Sequence, residues 1–194
     1  MVDNLILIGA STGGPGHINT ILKGLPQHFR SAVIIAQHMG LTFLPSFIKQ
    51  LSSLTTHRVL NVKDTMIVEP STIYVCSGES RLVERDGKIC FEWNEHSRSF
   101  YTPDIDMLFL SAASLPSHLP RMGVILTGIG EDGTLGVEAL YKSGGYCLFE
   151  SEMSSIVYGM PRSASERVPE AEVGSLTQIV EKIIAFGTAH AEMV

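Results

Sequence analysis

The sequence predicts an α/β domain: a mostly parallel, doubly wound sheet with helices on both faces and an antiparallel hairpin insert. Strand-length apolar runs alternate with segments of helical period towards both ends of the chain, the pattern of parallel strands joined by crossover helices. In the middle that alternation stops, and two extended runs flank Asp86-Gly87, a dipeptide suited to the positive φ angles of a two-residue hairpin turn. The size fits one such unit, because 194 residues with 44% hydrophobic content bury one core and fall short of two typical domains. Residues 1–194 are therefore expected to form a single domain.

Asn4 to Ala10 is read as the first strand, and Pro15 to Leu25 as a helix whose Ile18, Ile21, Leu22 and Leu25 share one face. Ala32 to Gln37 is the second strand. Phe43, Phe47, Ile48, Leu51 and Leu54 mark a second amphipathic helix, followed by a strand at Arg58 to Val62. Ile73 to Cys76 is extended, and Arg81 to Glu84 with Lys88 to Trp93 form the arms of the hairpin. Pro103 is expected to open a helix burying Ile105, Leu108, Phe109 and Ala112, since proline is tolerated at the first helical position. Gly123 to Thr127 reads as a buried strand, Thr134 to Lys142 as a helix stopped by Gly144-Gly145, and Tyr146 to Phe149 as another strand. The last helix starts near Leu176, where Ser175 and Gln178 match a capping box and Leu176, Ile179, Val180 and Ile183 form the apolar stripe.

A net charge of −6 without clustered Lys and Arg argues against a nucleic-acid surface. No apolar stretch approaches the roughly 20 residues of a spanning helix, and no signal sequence opens the chain, so no membrane insertion and a cytoplasmic location are expected. Cys76, Cys90 and Cys147 are odd in number, widely spaced and set in apolar runs, which suits buried small hydrophobes better than a disulfide framework or a zinc site.

In open α/β sheets function gathers beyond the carboxyl ends of strands. The first strand ends at Gly9-Ala10-Ser11-Thr12-Gly13, a Gly-x-Ser-x-Gly turn that exposes a hydroxyl while the next N–H groups point at an incoming oxyanion. The second ends at Gln37-His38, and Val124-Ile125-Leu126 ends at Thr127-Gly128-Ile129-Gly130-Glu131-Asp132-Gly133. A serine, a histidine and an aspartate on one rim are the types that acyl transfer needs: nucleophile, base and a carboxylate that fixes the base's tautomer. Their order, Ser-His-Asp, differs from the Ser-Asp-His order of α/β-hydrolases. Each residue also has a plain structural reading. His38 suits a backbone-bonded histidine, Asp132 suits a helix cap, Glu131 is a rival carboxylate, and the glycine-rich turn suits packing or phosphate binding. His17, His28, His57, His96, His118 and His190 lack metal-ligand spacing and are assigned no chemistry. Gly9-x-Ser11-x-x-Gly14 approaches a dinucleotide fingerprint, but Ala36-Gln37-His38 stands where the ribose-binding acid belongs, and no P-loop pattern is present.

Gly9-Ala10-Ser11-Thr12-Gly13-Gly14-Pro15, Gln37-His38-Met39, Leu126 to Gly133 and Val157-Tyr158-Gly159-Met160-Pro161, taken in order, make the chain resemble the CheB-type chemotaxis protein-glutamate methylesterases over nearly its whole length. The resemblance implies Ser11, His38 and Asp132 as the catalytic residues and the Thr12 and Ile129 N–H groups as the oxyanion hole. Gly130, Met39 and Met160 are the expected substrate-binding residues. It also implies hydrolysis of glutamyl methyl esters, and deamidation of glutamines, on the cytoplasmic helices of a methylated chemoreceptor, with no metal and no organic cofactor. Whether a separate receiver or kinase partner exists is left open.

Several positions depart from the family pattern. Ile129 stands where methionine is usual, Gly40-Leu41 where prolines are usual, and Tyr101-Thr102-Pro103-Asp104-Ile105-Asp106 where the family commonly reads His, a basic residue, Pro, Ser, Val, Asp. The last departure puts a negative charge where the family commonly has a basic stretch, so a different receptor-docking specificity is expected. Typical members also carry an N-terminal receiver domain, for which residues 1–194 leave no room, so a free-standing enzyme or an excised catalytic domain is expected. A non-catalytic receptor-binding or scaffold module of the same fold, and an esterase with another protein substrate, are the alternatives.

Overall fold

The computed structural model describes residues 2–95 and 100–188. In chain order the elements are β1 (Leu5–Ala10), α1 (Gly14–Gly24), β2 (Ala32–Gln37), α2 (Leu44–Leu54), β3 (Arg58–Val62), β4 (Thr72–Cys76), β5 (Glu79–Arg85) and β6 (Lys88–Asn94). They continue with α3 (Ile105–Ala113), β7 (Arg121–Ile125), α4 (Thr134–Lys142), β8 (Tyr146–Glu150), α5 (Met160–Arg167), β9 (Glu172–Gly174) and α6 (Leu176–Thr188). Seven strands form one sheet in the order β3-β4-β2-β1-β7-β8-β9, with every pairing parallel.

The central strands β1, β2 and β7 are buried along their whole length, and apolar apart from Gln37 and Arg121, because both their faces are covered. Along β1, Leu5 and Leu7 point into one core, together with Leu108 and Phe109 of α3, Val137 and Leu140 of α4, and Ala164 of α5. Ile6, Ile8 and Ala10 point into the other, against Ile18, Ile21 and Leu22 of α1, Phe47 and Leu51 of α2, and Ile179 and Ile183 of α6. The connection leaving β1 therefore crosses one face and the connection leaving β7 the other. These two strands are neighbours, so a crevice opens between their carboxyl ends, the topological switch point where doubly wound sheets hold their ligands.

The expected hairpin is the separate antiparallel pair β5 and β6, turning at Asp86 (φ 51°) and Gly87 (φ 72°). Leu82 and Phe91 seat it in the core on the α3 side, and the Leu82 N–H donates to Ser111 Oγ at 2.9 Å. The Ser175–Gln178 capping box is also present: Gln178 Oε1 accepts from the Ser175 N–H at 2.8 Å. Three features differ from the sequence reading. α3 begins at Ile105, because Asp104 takes the cap position and its Oδ1 accepts from the Met107 N–H at 2.7 Å; Pro103 lies one residue outside. α5 and β9 went unread, the first because it buries only Met160, Pro161 and Ala164, the second because it has three residues. Ile73 to Cys76 belongs to the parallel sheet as part of β4, between β3 and β2.

Candidate active site

Ser11 and His38 follow directly on Ala10 and Gln37, which are partners in the register of β1 and β2. The ladder continues one step beyond the strands, with the His38 N–H donating to Ala10 O at 2.9 Å. Past Ser11 the chain reverses: the Gly14 N–H donates to Ser11 O at 2.9 Å, and Gly13 takes φ 86°, a left-handed conformation open to glycine at no steric cost. The buried Gln37 amide clamps the two turns, since its Nε2 donates both to Ser11 O and to His38 O, each at 2.9 Å. The serine and histidine backbones are thereby held to one another by a single side chain.

Asp132 lies in the loop between β7 and α4 and is 3% exposed, whereas the rival Glu131 points into solvent. Its Oδ2 is 2.6 Å from His38 Nε2 and accepts from the Ile105 N–H at 3.0 Å, while Oδ1 accepts from the Asp106 N–H at 2.9 Å. The carboxylate therefore sits at the N-terminus of α3, where unpaired N–H groups and the helix dipole favour negative charge. With Nε2 committed to Asp132, the imidazole keeps Nδ1 as its free nitrogen. The Tyr101 ring stacks on the imidazole, centroids 4.9 Å apart and planes within 5°. Ser11 Oγ has no hydrogen-bond partner among the described residues.

The second wall is the turn after β7. The Ser11 N–H donates to Thr127 O at 3.0 Å, and a Cβ on Gly128 would collide with Ser11 Cβ and with Met160 Sδ. Glycine is therefore required for the β7 turn to lie against the serine. The backbone N–H groups of Thr12 and Ile129 have no acceptor among the described residues, and both residues are exposed. Gly130, at φ 92°, borders an open cleft of about 440 Å³ that also meets Tyr101, Glu131, Tyr158 and Arg162. Met39 is half-buried beside the site. Met160 is fully buried and lies beneath the Gly128 turn, not on the cleft surface.

Burial pushes the Asp106 carboxyl up to about 6; the charges of Asp132 and Asp104 add to the rise and the Gly136 N–H opposes it. All three cysteines are buried and free, and burial raises the thiols of Cys76 and Cys147 to about 12, outside the range of reactive thiolates. Among the described residues no three His, Cys, Asp or Glu side chains converge as metal ligands, and no helix is long and apolar enough to cross a membrane. His96 and His190 lie outside the described residues.

The sequence profile of the CheB methylesterase family matches residues 6–183. The chain belongs to the CheB methylesterase family. A protein-glutamate methylesterase/protein-glutamine glutaminase of Halalkalibacterium halodurans is 37% identical over 183 residues, covering 93% of this chain and 53% of that protein. One from Salmonella typhi is 35% identical over 188 residues, covering 94% and 53%. The crystal structure of the Thermotoga maritima CheB methylesterase catalytic domain superposes with a TM-score of 0.88 at 30% identity, covering 96% of this chain and all of that one. The chain thus spans about half the length of the curated relatives it matches, and its fold is that of a CheB catalytic domain.

Around this candidate site, the sequence carries no local signal for Tyr101 as a contact of His38 or for Gln37 as a clamp. Glu150 was findable, because it ends the apolar run of β8 just as Ser11, His38 and Asp132 follow theirs. Gln37 stands in the Gln37-His38-Met39 motif, but nothing in its spacing says where its amide points.

Proposed function

We propose that this chain is a serine hydrolase acting on glutamyl methyl esters, and on certain glutamines, of chemoreceptor cytoplasmic helices. The observation that carries the reading is the 2.6 Å contact of His38 Nε2 with buried Asp132, His38 standing beside Ser11 at the same level, one step beyond the β1–β2 register. Asp132 holds the proton on Nε2, leaving Nδ1 to accept the proton of Ser11 Oγ as that oxygen attacks the ester carbonyl. The Thr12 and Ile129 N–H groups, unpaired within the described chain, would receive the oxyanion. Collapse of the tetrahedral intermediate breaks the C–O bond, and the imidazolium returns its proton to methoxide, releasing methanol; with glutamine the leaving group is ammonia. A water molecule deprotonated by His38 then releases the glutamate and restores Ser11.

Gly130 and Met39 are the substrate contacts in this reading, and Met160 supports the Gly128 turn from below. The site is placed in the cytoplasm, where such receptor helices lie. Family membership and relatives named protein-glutamate methylesterase/protein-glutamine glutaminase support the substrate class. Ser11→Ala should abolish methanol release from methylated receptor while the fold persists. Undiminished release from the variant rules the mechanism out.

A further inference from the structure

Behind the Ser11 turn lies a buried polar network that the chemistry above does not use. Glu150, at the end of β8, is 0% exposed. Its Oε2 accepts from the Thr127 N–H at 2.8 Å and its Oε1 from Ser154 Oγ at 2.8 Å, and His17 Nδ1 of α1 is 3.1 Å from the carboxylate. A buried carboxylate persists only when its lone pairs are met, and this one is met from three separate segments of the chain. What it holds is Thr127. The Thr127 hydroxyl donates to Thr12 O at 2.9 Å and accepts from the Val157 N–H at 2.9 Å, while Thr127 O accepts the Ser11 N–H at 3.0 Å.

One residue thus grips Ser11 by its N–H and Thr12 by its carbonyl, and its own carbonyl begins the peptide that leads through Gly128 to Ile129. We infer that Thr127, anchored by the Glu150–His17 pair, is the positioning residue that aims the Thr12 and Ile129 N–H groups at one point. The inference rests on the acyl-transfer reading above. An oxyanion donor acts only when it stands at hydrogen-bond distance from the developing charge, and misplacement by about 1 Å can cost on the order of 10²-fold in rate. Losing the Thr127 hydroxyl frees Thr12 O and lets the neighbouring peptide turn, so the damage falls on the transition state and spares ground-state binding.

The test compares Thr127→Val, which keeps shape and loses the hydroxyl, with Thr127→Ser, which keeps the hydroxyl. The readouts are kcat and KM for methanol release from a peptide bearing a glutamate γ-methyl ester, with wild type and Ser11→Ala alongside. Thr127→Val should lower kcat by about 10- to 100-fold with KM within about twofold, and Thr127→Ser should recover to within about threefold of wild type. Unchanged kcat in Thr127→Val, or equal losses in Val and Ser, overturns the inference. If the Val variant does not fold, Thr127→Cys, with a weak donor of similar volume, takes its place; kcat at least about threefold below that of Ser is expected, and equality overturns the inference. Release that Ser11→Ala does not diminish refutes the acyl-transfer reading, and with it this one; release lost in Ser11→Ala but untouched in Thr127→Val removes this inference alone.

Discussion

Replacing Asp132 by Asn removes a charge and an acceptor from a buried part of the site, and both losses can be sized. The carboxylate serves three donors: His38 Nε2 and the Ile105 N–H on one oxygen, the Asp106 N–H on the other. An amide offers one oxygen. Whichever way it is turned, one of the two α3 N–H groups faces an NH2 group, and an orphaned buried donor costs about 1–3 kcal/mol. For a domain of this size that lowers the melting midpoint by roughly 3–10 °C. The imidazolium formed during attack also loses its counter-charge. At charge centres roughly 4 Å apart and an effective dielectric near 20, that interaction is about 4 kcal/mol, or about 10³-fold in kcat/KM. Thermal unfolding and initial rates of methanol release read the two effects separately. Activity within about tenfold of the parent would refute the assigned role of Asp132, and an unchanged midpoint would refute its role in holding α3.

Gly128→Ala sets a Cβ against Ser11 Cβ and Met160 Sδ, so kcat/KM should fall by at least about 10²-fold; wild-type rates contradict the close approach of the β7 turn. Tyr101→Leu removes the ring stacked on His38 and should cost about 3- to 10-fold in kcat/KM, the equivalent of a stack of about 0.5–1.5 kcal/mol, while Tyr101→Phe stays within about twofold. Equal losses in the two variants would point to the hydroxyl instead. Asp106, whose carboxyl is pushed up to about 6, binds its proton more tightly when folded. The stability it contributes is therefore full below its unfolded value near 3.8 and is lost as the pH rises through about 6. In Asp106→Asn the side-chain carbonyl still accepts from the Gly136 N–H, but the group cannot ionise. Between pH 4 and 7 the variant should gain about 1 kcal/mol on the parent in urea unfolding, a figure already discounted for partial exposure. Identical pH dependence in the two proteins defeats the assignment.

What could be read from the sequence followed from local periodicity. The β1 and β2 runs, the Asp86-Gly87 turn and the Ser175–Gln178 cap depend on residues within a few positions of one another, and all stand in the structure. α5 and β9 escaped because they have too few apolar positions to show a period, and they are held by contacts with α4 and β8. Pro103 shows a local rule losing to a competing one, since Asp104 beside it is the stronger cap. At the site, strand ends point to Ser11, His38 and the Glu131-Asp132 pair; the family resemblance selects Asp132, and its burial beside exposed Glu131 agrees. Glu150 itself shows at the end of an apolar run, but its partner does not: His17 and Glu150 are 133 positions apart, and their meeting depends on α1 and β8 packing within one fold.

The central claim is that Ser11 is a nucleophile activated by His38 and Asp132. Labelling with a fluorophosphonate, followed by mass spectrometry of the digested protein, tests it most directly. One adduct per chain is expected on the peptide containing Ser11, with labelling slowed by orders of magnitude in His38→Ala. An adduct elsewhere, or equally fast labelling of Ser11 in His38→Ala, would contradict it.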